Sequence, residues 1–371
     1  METRTQSGTS PYSERVIGSP VLPPLAKVNT VDSSDRAARN PALDFTKGIL
    51  VLIMVLYHWL NYFYAAQFDI YKYLRFLTPS FICITGFLVS NIYIGKYGVM
   101  DRSLPGRLFQ RSLKILGVFV VLNLIRTALL SPDSRADILA EHSSLRGLMG
   151  VYLIGGSVAA GQAKTVAFSI LIPISYLLVL SALLLIVCRY YKHAFYLAWV
   201  TLVAAVFVVG GRGVHSSILE MVTIGLLGVI MGYAPIERVN SIVRHPVALA
   251  LAYAGYLTAI NKWNVIYPLQ VIGVVLSLMI IYLVGETGNP NGKFKRLNIL
   301  LGKYSLWGYV AQIAILQLLH GGLRSLDLGE TATMVISFIA AFALTILAVQ
   351  AMDRARRSSK IVDRSYRAVF A

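Results

Sequence analysis

Of the 371 residues, 56% are hydrophobic and only 14% are charged, and the mean hydropathy is +0.66. That composition excludes a predominantly soluble protein and describes a polytopic membrane protein. The formal charge of +17 would point a soluble chain toward nucleic acid, but here the Lys and Arg residues sit in short loops between apolar segments, where they orient spans.

Residues 1–40 are polar, with scattered Ser and Pro and both charge signs, and lack the basic, apolar, small-residue order of a cleaved signal peptide. They read as a disordered cytoplasmic tail. The first apolar segment follows, residues 42–66, and it holds three ionisable groups: Asp44, Lys47 and His58. A charged group in a spanning helix costs a few kcal/mol, so it marks a functional candidate. Lys47 and His58 lie 11 positions apart, which in a helix is a net rotation of about 20° and a rise of roughly 16 Å. Asp44 falls about 40° to the other side of His58 by the same geometry. One face of this helix therefore carries an acid and a base near one end and an imidazole well beyond them.

Ten apolar segments of spanning length follow one another, near 43–65, 74–95, 111–131, 165–188, 194–210, 216–235, 246–261, 265–285, 298–319 and 331–352. Pro246 and Pro268 open or interrupt the region of the sixth to eighth. Ten spans put both termini on one side. With the N-terminus cytoplasmic, the inside segments hold 23 Lys and Arg against 8 outside, while Lys47, Arg126 and Lys303 lie within spans. The bias holds loop by loop, as the positive-inside rule requires. The expected architecture is all-α and integral to the membrane, with about ten transmembrane helices. A disordered tail (1–40), a transmembrane domain (41–353) and a basic cytoplasmic C-terminal tail (354–371) make up the chain. Cys83 and Cys188 fall inside apolar segments, and no disulfide is expected between them.

Further along the chain, Thr85, Gly86 and Ser90 are small residues of the kind that let helices pack closely. Arg107, Arg111 and Lys114 share one helical face at the inner rim of the third span. They suit either a phosphate ligand or anionic lipid headgroups. The longest outside segment, 132–164, is rich in Gly and Ser, and reads equally as a re-entrant element or a connector. Near the outer side stand Asn61, Tyr62 and Tyr64, then Arg212 and His215, then His320. Glu220 is an acid within the sixth span, and Arg126 in the third is its expected ion-pair partner. No metal site is expected. A proton-coupled transporter or flippase of a polar or anionic solute is the competing class, with the Asp44–Lys47–His58 stripe as its relay, although the chain shows none of the internal repeats many transporters carry.

At these residues the chain resembles the acyltransferase-3 family of membrane acyltransferases. Lys47, ten intervening residues and His58 match that family's Arg/Lys-X10-His signature, and Leu43-Asp44-Phe45-Thr46-Lys47-Gly48 is similar to its Leu-Asp-Gly-Leu-Arg-Gly opening. Phe81 to Ser90 resembles its Phe-Phe-Val-Leu-Ser-Gly-Phe-Leu-Ile segment. The stretch from Arg107 through Arg111 to Lys114 resembles its basic run before the third span, and Leu301-Gly302-Lys303-Tyr304-Ser305-Leu306-Trp307-Gly308-Tyr309 its late Leu-Gly-x-x-Ser-x-x-x-Tyr motif. Lys47 and Lys114 stand where the family usually has arginine, and Gln312 stands near a position where it often has histidine.

The resemblance implies an O-acyltransferase in the cytoplasmic (inner) membrane. It would move an acetyl or succinyl group from cytoplasmic acyl-CoA, a co-substrate rather than a bound cofactor, to a hydroxyl of an extracytoplasmic glycan or lipid-linked sugar. On that reading Arg107, Arg111 and Lys114 hold the CoA phosphates, and Lys47, oriented by Asp44, meets the donor. His58 deprotonates the acceptor hydroxyl or carries the acyl group. Asn61, Arg212, His215 and Glu220 are acceptor-side candidates. The partners implied are acyl-CoA, the sugar acceptor and the bilayer, and no nucleic acid.

Overall fold

The structure is a computed structural model that describes residues 40–64, 70–129, 145–155, 168–263, 265–289, 291–324, 326 and 329–370. The expected disordered tail, 1–40, lies outside the described residues except for Asn40, as do 130–144 and 156–167 of the long Gly/Ser-rich segment.

Every element among the described residues is helical. In chain order they are α1 (Pro41–Trp59), α2 (Ile70–Leu74), α3 (Leu77–Leu88), α4 (Leu104–Leu129), α5 (Leu145–Met149), α6 (Leu171–Cys188), α7 (Ala194–Gly211) and α8 (Ser217–Met231). Then come α9 (Ile236–Val243), α10 (Pro246–Trp263), α11 (Tyr267–Thr287), α12 (Lys293–Lys303), α13 (Ser305–Arg324), α14 (Glu330–Ser358) and α15 (Lys360–Phe370). Three helices run on as π-helix: α1 over Leu60–Tyr64, α3 over Val89–Ile94, and α5 over Gly150–Ile154. Among the described residues eight helices are long and apolar enough to cross a membrane, and α8 with α9 makes a ninth when the pair is taken as one span. The chain is an all-α, multi-pass membrane protein.

Elements stand close to the ten expected segments, and the differences have local causes. The sixth breaks at Gly232–Pro235, where α9 turns away from α8 by 101°; Pro235 has no N–H to continue the ladder. The seventh, α10, has helical length but too many polar residues to count among the eight. The ninth is interrupted at Tyr304, so the crossing helix is α13, and α12 is a separate, Lys-rich element. Lys303, expected within a span, sits at this corner, 41% exposed and 3.8 Å from Asp353. The C-terminal tail is also helical: α14 continues to Ser358 and α15 follows.

With little water to satisfy hydroxyls, the Ser and Thr side chains turn back on their own helices. Thr46 donates to the Ala42 carbonyl at 2.8 Å, Ser80 to Phe76 at 2.7 Å and Thr345 to Ala341 at 2.7 Å. Close crossings use small residues, as helix association in lipid does. A Cβ on Gly86 would overlap the Gly225 carbonyl of α8, one on Gly228 would overlap that of Cys83, and Ser90 Oγ donates to the Val229 carbonyl at 2.6 Å. The close-packing role read for Gly86 is therefore what the structure has. Cys83 and Cys188 are free and buried.

α1 is the hub: it touches α3, α11, α12, α13 and α14. Several long-range hydrogen bonds join helix ends that an up-and-down path puts on the same side. Asn40 reaches Tyr282, which reaches Asn240, and Arg189 reaches the Asp101 carbonyl. At the other end Trp59 reaches Ser337, Arg75 reaches the Val265 carbonyl, and Ser216 reaches that of Leu153.

Candidate functional site

The polar stripe survives folding because α1 is unbroken from Pro41 to Trp59. Asn40 caps it, accepting from the N–H groups of Ala42 (2.9 Å) and Leu43 (3.3 Å), and Pro41 takes the first helical position, where no N–H is needed. Asp44 lies in the first turn, where a carboxylate meets the positive end of the helix dipole. Its Oδ1 is 2.6 Å from Lys47 Nζ, and both side chains are largely buried (5% and 16% exposed).

This end of α1 is held by backbone proximity. α12 runs antiparallel across it: a Cβ on Gly302 would overlap the Asp44 carbonyl, and one on Gly48 would overlap that of Asn298. Gly285 of α11 lies against the Phe45 ring. No larger residue fits at Gly48 or Gly302 without parting the helices. Beside this end, α1, α3, α8, α9 and α11 line an apolar pocket of about 70 Å³ that reaches Leu43 and Thr46.

His58 is half-buried in the last turn of α1, immediately before the π-helical turn. π-Turns inside α-helices concentrate at functional sites, since they re-aim side chains without ending the helix. The imidazole is edge-on to Tyr57, with centroids 5.3 Å apart, and 6.4 Å from the ring of Tyr309 on α13. Phe168 is edge-on to Tyr309 at 6.0 Å, and Tyr71 meets Tyr57 at 5.6 Å. One turn further, Tyr62 and Phe63 face His320 of α13 at 5.8 and 5.5 Å. The expected candidates Tyr62 and His320 are thus neighbours of each other.

The late segment 301–309 assembles along α1 in order. Gly302 lies at Asp44, Gly308 at Val51, and Tyr309 at His58. Tyr304 ends α12 and donates to Asp353 Oδ1 at 2.8 Å, and Trp307 Nε1 donates to the Ala348 carbonyl at 3.2 Å. One turn after Tyr309, Gln312 is fully buried, and neither amide atom has a hydrogen-bond partner among the described residues. A buried amide left so is destabilising by roughly 1–3 kcal/mol.

Arg107, Arg111 and Lys114 occupy the first turns of α4. Arg107 donates to Tyr97 Oη at 2.9 Å with its guanidinium over that ring, and Arg111 donates to Tyr93 Oη. Tyr93 comes from the π-helical end of α3 and Tyr97 from the short turn Gly95–Tyr97 that follows it, and Arg107 and Lys114 remain exposed. These contacts hold the basic face to α3, and none of them reaches α1 directly.

The remaining candidates gather less tightly. Asn61 is exposed on the π-turn, and Arg212 and His215 are exposed on the loop before α8. Glu220, in the first turn of α8, makes no ion pair with Arg126, contrary to expectation; its charged neighbours are Arg75 and His215. The reason is placement: Arg75, between α2 and α3, reaches the α10–α11 connection beside α8. Tyr267 adds a hydroxyl within reach of Thr223 and Glu220.

Sequence reasoning missed Arg75, Tyr267, Tyr309 and Gln312 as neighbours of these candidates. Tyr309 ends the late segment 301–309; Arg75 and Tyr267 look like ordinary loop and interface residues, and only tertiary structure joins them to Glu220. No group of three or more His, Cys, Asp or Glu side chains among the described residues could hold a metal. The arrangement offers an imidazole base near one end of a helix, a buried carboxylate–ammonium pair roughly 16 Å along the same face, and a separate exposed basic edge. Compared with protein-family models, curated proteins and solved structures, the chain matches none.

Proposed function

We propose that the chain is a membrane O-acyltransferase of the acyltransferase-3 type, using cytoplasmic acyl-CoA and a sugar hydroxyl on the far side of the cytoplasmic membrane. The observation that carries this reading is the convergence of two far-separated motif segments on one line of α1, with Gly302 at Asp44 and Tyr309 at His58. On this reading the basic edge of Arg107, Arg111 and Lys114 gathers the CoA phosphates from the cytoplasm. Lys47, held by Asp44, attracts the anionic donor as its pantetheine arm extends toward His58.

His58 then takes the proton of the acceptor hydroxyl. The alkoxide attacks the thioester carbonyl, the C–S bond breaks, and the thiolate leaves as CoA after taking a proton. The ester product retains the acyl group. Tyr62 and His320 stand where an acceptor sugar would stack, and Asn61 beside them offers an amide.

Acyl transfer from radiolabelled acetyl-CoA, then succinyl-CoA, in membranes containing the chain tests the proposal. Label entering glycan or lipid with the wild type, and not with His58→Ala at matched expression, is the expected result. Equal label in both removes His58 from the mechanism. A proton-gradient requirement for solute uptake without acyl transfer would favour transport along the same stripe.

A further inference from the structure

The C-terminal helix α15 has one face that the rest of the chain holds and one that it does not. The held face is well built. Tyr366 is buried, its ring 5.4 Å from Tyr304, and Phe370 stands 5.9 Å from Trp307. Arg356 of α14 donates twice to Asp363 Oδ1 (2.6 and 2.9 Å) and stacks over Tyr366, while Arg367 pairs with Asp363 Oδ2 at 2.7 Å. This clasp fixes the rotation of α15 about its axis.

The opposite face is exposed, and its chemistry is divided. Ile361 is 78% exposed there and Ala368 is exposed beside it, while Lys360 and Arg364 stand on the adjoining arc; Val369, three residues after Tyr366, lies at the edge of the held face. Neither Lys360 nor Arg364 has an acidic partner among the described residues. From Asp353 to Phe370 there are six basic side chains against two acidic ones, and both acids are already engaged.

The height of this helix relative to a bilayer follows from α14. Its apolar stretch, 331–352, rises about 33 Å, close to the thickness of a hydrocarbon core. The next six residues, to Ser358, rise about 9 Å further, into the headgroup layer. Ser359, extended at φ −130° and ψ 120°, then turns the chain into α15. An amphipathic helix starting at headgroup depth, with a bare isoleucine beside unpaired cations, is complementary to a negatively charged lipid surface.

We propose that the outward face of α15 binds anionic phospholipid: Lys360 and Arg364 hold the headgroup phosphates while Ile361 enters the boundary of the acyl chains. The surface is independent of the acyl-transfer reading. It also reaches the candidate site, because the clasp holds Tyr304, two residues from the Gly302–Asp44 crossing.

The test is hydrogen exchange of the full chain in nanodiscs of phosphatidylcholine alone and of phosphatidylcholine with one third phosphatidylglycerol. The α15 amides are expected to exchange roughly tenfold more slowly in the anionic discs, from the attraction of two basic side chains. Molar salt should abolish the difference, as should the double variant Lys360→Glu/Arg364→Glu, and Ile361→Ser should reduce it. Unchanged exchange in α1 and α14 shows that the variants are folded, and the salt arm decides the matter for any that is not. Equal exchange of wild-type α15 in the two discs overturns the proposal, and so does protection that survives charge reversal. Protection produced equally by inorganic phosphate in neutral discs would replace the lipid by a soluble anion.

Discussion

The two ends of α1 are built in different ways. At the Asp44 end, backbones touch through glycine, the charged pair is closed, and the helix is capped and tied to α11. At the His58 end, the helix loosens into a π-turn, contacts are ring against ring, and the imidazole remains half-exposed. The first is a fixed support and the second an adjustable surface. A pocket that admits an acceptor needs the second kind, and a helix that must hold charges in lipid needs the first. Substitutions at the two ends should therefore fail in different ways.

The sharpest separation comes from His58→Ala. If the proposed acyl transfer is the activity, it should fall by about 100- to 10,000-fold, the contribution of a positioned general base, while the thermal midpoint in detergent stays near wild type because a half-exposed ring is removed from a loose site. A midpoint that collapsed along with activity would show that the His58 end is also structural support. Gly302→Val should behave in the reverse way. The new side chain collides with the Asp44 carbonyl, and destabilisation of about 3 kcal/mol, the upper part of the overpacking range, is expected as lost folded yield and a lowered midpoint. A normal midpoint would mean that α12 can slide on α1, and the contrast between the ends would lose its basis.

A finer cut falls on the Asp44–Lys47 pair. Asp44→Asn and Lys47→Met each remove one charge of a largely buried pair, whereas the double variant removes both. Unfolding of the four proteins should give a coupling of about 2 kcal/mol, with the double variant more stable than the sum of the singles requires. Additive losses would mean that each charge is held by other groups.

Much of this contrast was legible in sequence, and the part that was not has a physical reason. Apolar length alone marked the spans, because lipid leaves the backbone few alternatives to helix. The Asp44–Lys47–His58 stripe needed only helical periodicity, and α1 keeps it. What stayed hidden depends on partners far away in the chain. Nothing local to Tyr304 announces that span nine divides there; the break is set by Gly302 pressing on Asp44 and by Tyr304 reaching Asp353. Glu220 was visible as a charge in a span, but Arg75 as its neighbour was not, since loop residues of opposite charge are common and only packing selects among them. The π-turns left no pattern in the residues at all.

The clasp of α15 offers the mildest test, and it probes whether the Asp44 end is braced from outside α1. The hydrogen bonds from Arg356, with Arg367 adding to them, hold the Asp363 carboxyl below the usual aspartate range. A depressed carboxyl pKa stabilises the folded form above the ordinary range and loses that contribution as pH falls through the native value. Docking of α15 should therefore be constant near neutrality, survive into mild acid, and loosen only below the pH at which an ordinary aspartate takes up its proton. Emission from Trp307, which packs on Phe370, can report it in a chain whose other tryptophans are replaced. In Asp363→Asn the acid transition should vanish and α15 should be loosened at every pH, because the amide cannot hold two guanidinium groups as a carboxylate does. If wild-type emission were flat through the acid range, the aromatic contacts alone would be holding α15, and the brace on the Tyr304 corner would be ring packing rather than charge.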